Sequence, residues 1–216
     1  MSQFESVRSG ALRAGVLVVM LVAAQVHAGV IYHVGESCTN NNAGDVAIGF
    51  AQLSVEVSDA GGGLVDFKFV NAGPLASSIT DLYWDDGSLL GISSVVSGPG
   101  TNFSQGASPG NLPGGNNCSP PFVASAGFSA DSNPPTQPNG VNPGEFVTVR
   151  FSLIGGQTYA DVISELDSGA VRIGIHVQGF ASGGSEGFVF VPGLAPTPGA
   201  AGLFALAGLL AFRRRR

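Results

Sequence analysis

Residues 29–190 predict an all-β domain, an antiparallel β-sandwich of immunoglobulin-like or jelly-roll-like kind with one short helix. Three observations lead to this class. Several segments alternate apolar and polar residues with period two, which sets one face of a strand in a core and the other in water. Turn-forming Gly, Asn, Ser and Pro are abundant, with Gly at 33 of 216 residues, so the elements must be short. Only one segment carries the caps and apolar spacing of a helix. Roughly 160 residues are enough for one domain with its own core.

The elements follow in chain order. Residues 1–28 read as a secretory signal peptide, expected to be helical. Arg8 and Arg13 supply its positive region and Gly15 to Ala24 an apolar stretch, and Val26-His27-Ala28 places slim residues at a cleavage site after Ala28. Leu53-Ser54-Val55-Glu56-Val57 and Val65-Asp66-Phe67-Lys68-Phe69 alternate cleanly, and Asp59-Ala60-Gly61-Gly62-Gly63 between them signals a hairpin. Shorter strand candidates are 78–84, 89–96, 122–128 and 187–191. The Gly-, Pro-, Asn- and Ser-rich stretch 98–144 predicts long loops over the sandwich ends, with one or two short strands inside. Val147-Thr148-Val149-Arg150-Phe151-Ser152-Leu153 and Ile173-Gly174-Ile175-His176-Val177-Gln178 alternate again. Between them Thr158 can cap a helix, with Asp161 three residues on, Val162, Ile163 and Leu166 as its apolar face and Gly169 as its end. About eight strands with turns between them give the sandwich.

The chain closes on a different kind of segment. Pro196-Thr197-Pro198 follows a Pro-rich linker (191–198). An apolar run of fourteen residues, Gly199 to Phe212, predicts a hydrophobic helix, and Arg213, Arg214, Arg215 and Arg216 form a basic stop. At 1.5 Å per residue the run spans roughly 21 Å, short of a hydrocarbon core of about 30 Å. The arginines favour the cytoplasmic side, which puts the body of the protein on the outer side. An ordinary single-span tail anchor is one alternative to a sorting signal. A GPI signal fits less well, because such signals end in an apolar tail.

The three-part layout of residues 191–216 resembles the PEP-CTERM sorting signal of Gram-negative and related bacteria. Thr197 stands where that motif usually has Glu. The resemblance implies a precursor held in the membrane by its C-terminal segment, a sorting protease of exosortase type that acts at Pro196, Thr197 and Pro198, and a destination at the cell surface or outside the cell. Residues 46–190 also have the general look of domains found beside this tail, which implies no activity.

Charge excludes one class of partner. Between the two end segments Lys68, Arg150 and Arg172 face fourteen acids, a net charge of −11, so binding to nucleic-acid phosphates is not expected. Cys38 and Cys118 are the only cysteines; an exported chain meets an oxidising compartment, so a Cys38–Cys118 disulfide and two unrelated thiols are both open readings. Closing that loop stabilises by roughly 4 kcal/mol in the chain-entropy picture.

Other patterns carry less. Gly106-Ala107-Ser108-Pro109-Gly110 and Gly183-Gly184-Ser185-Glu186-Gly187 match Gly-x-Ser-x-Gly, but neither precedes a helix pattern, as a nucleophile elbow requires. Asp81, Asp85 and Asp86 offer oxygens for calcium, or simply a turn. Carboxylate pairs for glycoside hydrolysis cannot be placed from sequence. Trp84 and Tyr83 are neighbours and point to opposite faces of a strand, so one of them is a possible ligand contact, while Trp84 also suits the core. His176 falls on the polar face of its strand and is expected in water. No regular threonine ladder suggests ice binding, and no pattern calls for a cofactor or metal. The expectation is a non-enzymatic exported protein with a structural or adhesive role, its partners being the membrane, a sorting protease and extracellular polysaccharide. A carbohydrate-binding module and a secreted hydrolase are the alternatives.

Overall fold

The computed structural model describes residues 28–39, 41–85 and 90–192. The signal segment before Ala28, Asp86, and the tail with Pro196, Thr197, Pro198 and Arg213 to Arg216 lie outside the described residues. Among the described residues no helix is long and apolar enough to cross a membrane.

Among the described residues ten strands and three α-helices follow in the order β1 (Val30–Ser37), α1 (Ala43–Gln52), β2 (Leu53–Gly61), β3 (Leu64–Asn71), β4 (Ser78–Asp85), β5 (Leu90–Ser97), β6 (Phe103–Gln105), β7 (Ser129–Ser132), α2 (Thr136–Asn139), β8 (Phe146–Leu153), α3 (Tyr159–Ser168), β9 (Arg172–Gln178) and β10 (Glu186–Phe190). The strands form one antiparallel sheet in the order β5-β8-β3-β2-β1-β10-β9-β4-β7-β6, folded into a nearly closed, sandwich-like barrel. The fold lies at β1. Val30 to His33 pair with β2, whereas Val34 to Ser37 pair with β10, and the register slips between Val34 and Glu36. Gly35 sits at that bulge, where a Cβ would lie 2.0 Å from Val191 Cγ2, so no side chain fits.

The two halves of the sheet are built differently. In the first half, β2, β3 and β8 alternate buried and half-buried residues, as the sequence predicts. Val55, Val57, Phe67, Phe69, Val149 and Phe151 point into the core. The opposite face carries the bidentate Arg150–Asp66 pair, at 2.6 and 2.7 Å, and Lys68 Nζ 4.7 Å above the Phe146 ring. In the second half, β4, β9 and β10 are buried at nearly every position. Their inward residues include Leu82, Trp84, Ile173, Ile175 and Phe188.

Trp84 is the centre of the core. Its indole is fully buried, with the rings of Phe67, Phe69 and Phe151 at centroid distances of 5.8, 5.6 and 4.9 Å in edge-to-face geometry. Its buried N–H has no hydrogen-bond partner. The expected ligand contact at Trp84 is therefore corrected, because neither it nor Tyr83 has surface left to stack on a sugar.

Helix α3 forms where the caps place it. Thr158 and Asp161 make a reciprocal capping box, and Gly169 ends the helix in left-handed backbone at φ 76°. Val162 and Leu166 bury against the core. Helix α1 is an addition to the expected single helix. Asn42 caps it by accepting from Gly44 N at 2.8 Å. Gly49 lets it approach β10, because a Cβ there would lie 2.4 Å from the Phe188 ring. A further correction concerns 122–128, which forms no strand, while β6 and β7 supply the two short strands of the 98–144 stretch.

The alternation makes opposite demands on neighbouring positions. Phe67→Ala should destabilise the fold by about 3–5 kcal/mol, whereas Ser54→Ala, on the outer face of the same half, should stay within about 0.5 kcal/mol. Urea denaturation of the two variants checks this.

Candidate functional site: the strapped face of the second half-sheet

A long uncharged segment, 106–128, covers the outer face of β4, β9 and β10. The sequence predicts loops over the sandwich ends; the cover lies across a face instead. It contains no Asp, Glu, Lys, Arg or His. Leu112, Phe122 and Cys118 of this strap pack with Tyr83, Val189 and Cys38 into a second buried cluster. Two strand glycines make room for it. A Cβ on Gly187 would lie 2.2 Å from the Pro113 carbonyl oxygen, and one on Gly174 would lie 3.0 Å from both Leu112 and Phe122.

Several attachments hold the strap, among them backbone bonds from Ser125 N to the Trp84 carbonyl and from Trp84 N to the Phe128 carbonyl, at 2.8 and 3.0 Å. The Cys38–Cys118 disulfide ties it to the end of β1. The Arg172 guanidinium donates to the Pro120 and Pro121 carbonyls at 2.7 and 2.6 Å, pairs with Asp85, and lies 5.3 Å from the Phe122 ring centre. Glu36 Oε1 accepts from Ser119 N at 2.6 Å. The Tyr83 hydroxyl donates to the Pro109 carbonyl at 2.9 Å. Burial, with the carboxylates of Asp81 and Asp131, pushes the Tyr83 hydroxyl pKa up, so it stays a donor.

A row of ionisable groups runs across the strands on this same outer face. His176 of β9, Asp81 of β4 and Asp131 of β7 are cross-strand neighbours in register. Asp81 Oδ2 lies 2.8 Å from His176 Nδ1 and accepts from Thr80 Oγ1 at 2.8 Å. Asp131 faces Asp81 from the other side and accepts from the backbone N–H of Ser108, within the strap, and of Ser132. Burial and the Asp81 charge push the Asp131 carboxyl up to about 6. Asp131 therefore takes up a proton more readily than a free carboxyl, and Asp81 lies between it and His176.

This row overturns the expectation that His176 is solvated. It is only 9 % exposed, because its strand has no wet face. The row also reassigns the candidate calcium ligands, since Asp81 serves His176 and Asp85 serves Arg172. Among the described residues no three His, Cys, Asp or Glu side chains are placed to hold a metal ion.

The two Gly-x-Ser-x-Gly segments have other roles. Ser108 lies in the strap and meets Asp131 through its backbone. Glu186, fully buried, accepts from Thr39 Oγ1 and from the backbone N–H of Asn41 and Asn42, which orders the turn entering α1. The ring partners of His176 are Asp81 and Gln178, while His33 is exposed and lies opposite Ser54 in the β1–β2 register. Beside the strap, a cavity of about 230 Å³ opens between α3 and β10, lined by Tyr32, Leu166, Val171, Phe190, Glu36 and Arg172. The strap and its glycines left no motif in the sequence; the lack of charge between 106 and 128 is the signal that marks them.

Two outcomes follow. A carboxyl raised in the folded state stabilises most below the unfolded value near 4, and that stabilisation is lost as pH rises through about 6. Wild type should therefore lose about 1 kcal/mol, screened by partial exposure, between pH 4 and 7, and Asp131→Asn should flatten this slope in urea titrations. Replacing both Cys38 and Cys118 by Ser should cost about 4 kcal/mol, read from the same titrations. Comparison with protein-family models, with curated proteins and with solved structures finds no match for this chain.

Proposed function

We propose that this chain is an exported protein whose β domain has a structural or adhesive role at the cell surface or in the extracellular polysaccharide matrix. The observation that carries the reading is the Cys38–Cys118 disulfide, since such bridges persist in oxidising compartments outside the cytoplasm. It agrees with the signal-like residues 1–28 and with the tail that resembles a PEP-CTERM signal. The net charge of −11 between the end segments suits solubility outside the cell. The domain acts as a rigid module, immunoglobulin-like or jelly-roll-like in its general layering. Its tail tethers the precursor, and a sorting protease of exosortase type acts near Pro196, Thr197 and Pro198 to release or transfer it.

Intact mass spectrometry on membrane and released fractions of the native cells tests this reading. The expected released form lacks residues 1–28 and the segment after Pro196 to Pro198, retains the disulfide, and is retained by the cells' own exopolysaccharide in a pull-down. A single membrane-bound form that keeps Arg213 to Arg216 removes the sorting step, and free thiols at Cys38 and Cys118 remove the export reading.

A further inference from the structure

The start of β1 carries a feature that export alone does not explain. Gly29 precedes the first strand residue, and a Cβ at this position would lie 2.7 Å from Glu56 Cγ and 2.8 Å from Glu56 Oε1. The Glu56 side chain thus lies against Gly29 and would have to shift to admit a side chain there. The amide nitrogen of Gly29 sits about 2.5 Å from that Cβ position by covalent geometry, which puts it within roughly 5 Å of the carboxylate oxygen. Among the described residues Glu56 forms no ion pair. Its cross-strand neighbour Lys68 directs its ammonium over the Phe146 ring instead.

Cleavage after Ala28 changes the chemistry of this nitrogen. Hydrolysis of the Ala28–Gly29 peptide bond by water leaves a carboxylate on Ala28 and an α-amino group on Gly29. At neutral pH that group is largely an ammonium. We infer that Glu56 is the receptor for the new N-terminal ammonium of Gly29, so that removal of the leader completes the start of β1 where it pairs with β2. The inference rests on the export reading given above and deepens it by fixing the processing register. Cleavage even one residue earlier places the ammonium outside this geometry and leaves an amide beside Glu56. The other ionisable groups around the position are Lys68 of β3, Asp59 of β2 and Tyr159 of α3, whose hydroxyl donates to the Val57 carbonyl at 3.0 Å.

The test uses the full-length precursor expressed in an export-competent host and purified in detergent, as wild type and as Glu56→Gln. N-terminal sequencing first identifies the mature terminus. The α-amino group is then labelled by reductive ¹³C-methylation, and its pKa is followed by NMR. With Gly29 first, the wild-type α-amino pKa should stand about half a unit above the Glu56→Gln value, because an opposite charge at this range favours the charged form. Equal values in two variants of the same circular dichroism overturn the receptor role while leaving export intact. A mature terminus other than Gly29 overturns the register itself. A protein that retains Met1 overturns the export reading on which the inference rests.

Discussion

Burial of the outer face of the second half-sheet is the constraint on which the rest of this structure depends. A two-layered sandwich needs only one buried face per sheet, and β2, β3 and β8 obey that rule with regular alternation. Strands β4, β9 and β10 are buried on both faces because the segment 106–128 lies across them. An irregular segment has little regular hydrogen bonding of its own, so it stays against a sheet through side chains, covalent bonds and scattered backbone bonds such as Ser125 N to the Trp84 carbonyl. The disulfide, the Arg172 guanidinium, Glu36 and Tyr83 supply those holds. Gly174 and Gly187 supply the room.

The same constraint produces the electrostatics. A cover without ionisable side chains leaves the carboxylates of Asp81 and Asp131 to be satisfied by the sheet and by backbone N–H groups. Two like charges opposite one another in register repel. Burial and that repulsion raise the Asp131 carboxyl to about 6, while Asp81 lies against His176 and accepts from Thr80. The row is a consequence of covering a polar strand face. At the far side of the same half-sheet the buried Glu186 solves an equivalent problem differently, by gathering the donors of Thr39, Asn41 and Asn42 around one carboxylate.

The sequence made the first half-sheet legible and the second misleading. Leu53 to Val57, Val65 to Phe69 and Val147 to Val149 show their faces because each faces water on one side. Helix α3 is legible because Thr158, Asp161 and Gly169 are local signals with local causes. His176 misleads for the opposite reason: its ring partner Asp81 lies on β4, far back in the chain, which periodicity within β9 cannot report. Helix α1 hides behind Gly44 and Gly49, poor helix formers, the second of which is required by contact with Phe188. The cysteines were visible as residues, but their meeting depends on β1 turning from one half of the sheet to the other at Gly35.

These features describe a rigid, covered module, and the functional reading draws on that rigidity and on the oxidising compartment its cross-link needs. The claim that supports all of this is that the strap, locked by Cys38–Cys118, shields the outer face of the second half-sheet. Peptide-mapped nitration of tyrosines tests it most directly, because Tyr83 lies under the strap whereas Tyr159 is half-buried on α3. The account predicts that Tyr83 resists nitration in the oxidised protein while Tyr159 reacts, and that Tyr83 becomes reactive once the disulfide is reduced and alkylated. Nitration of Tyr83 at the rate of Tyr159 in the oxidised protein would contradict it.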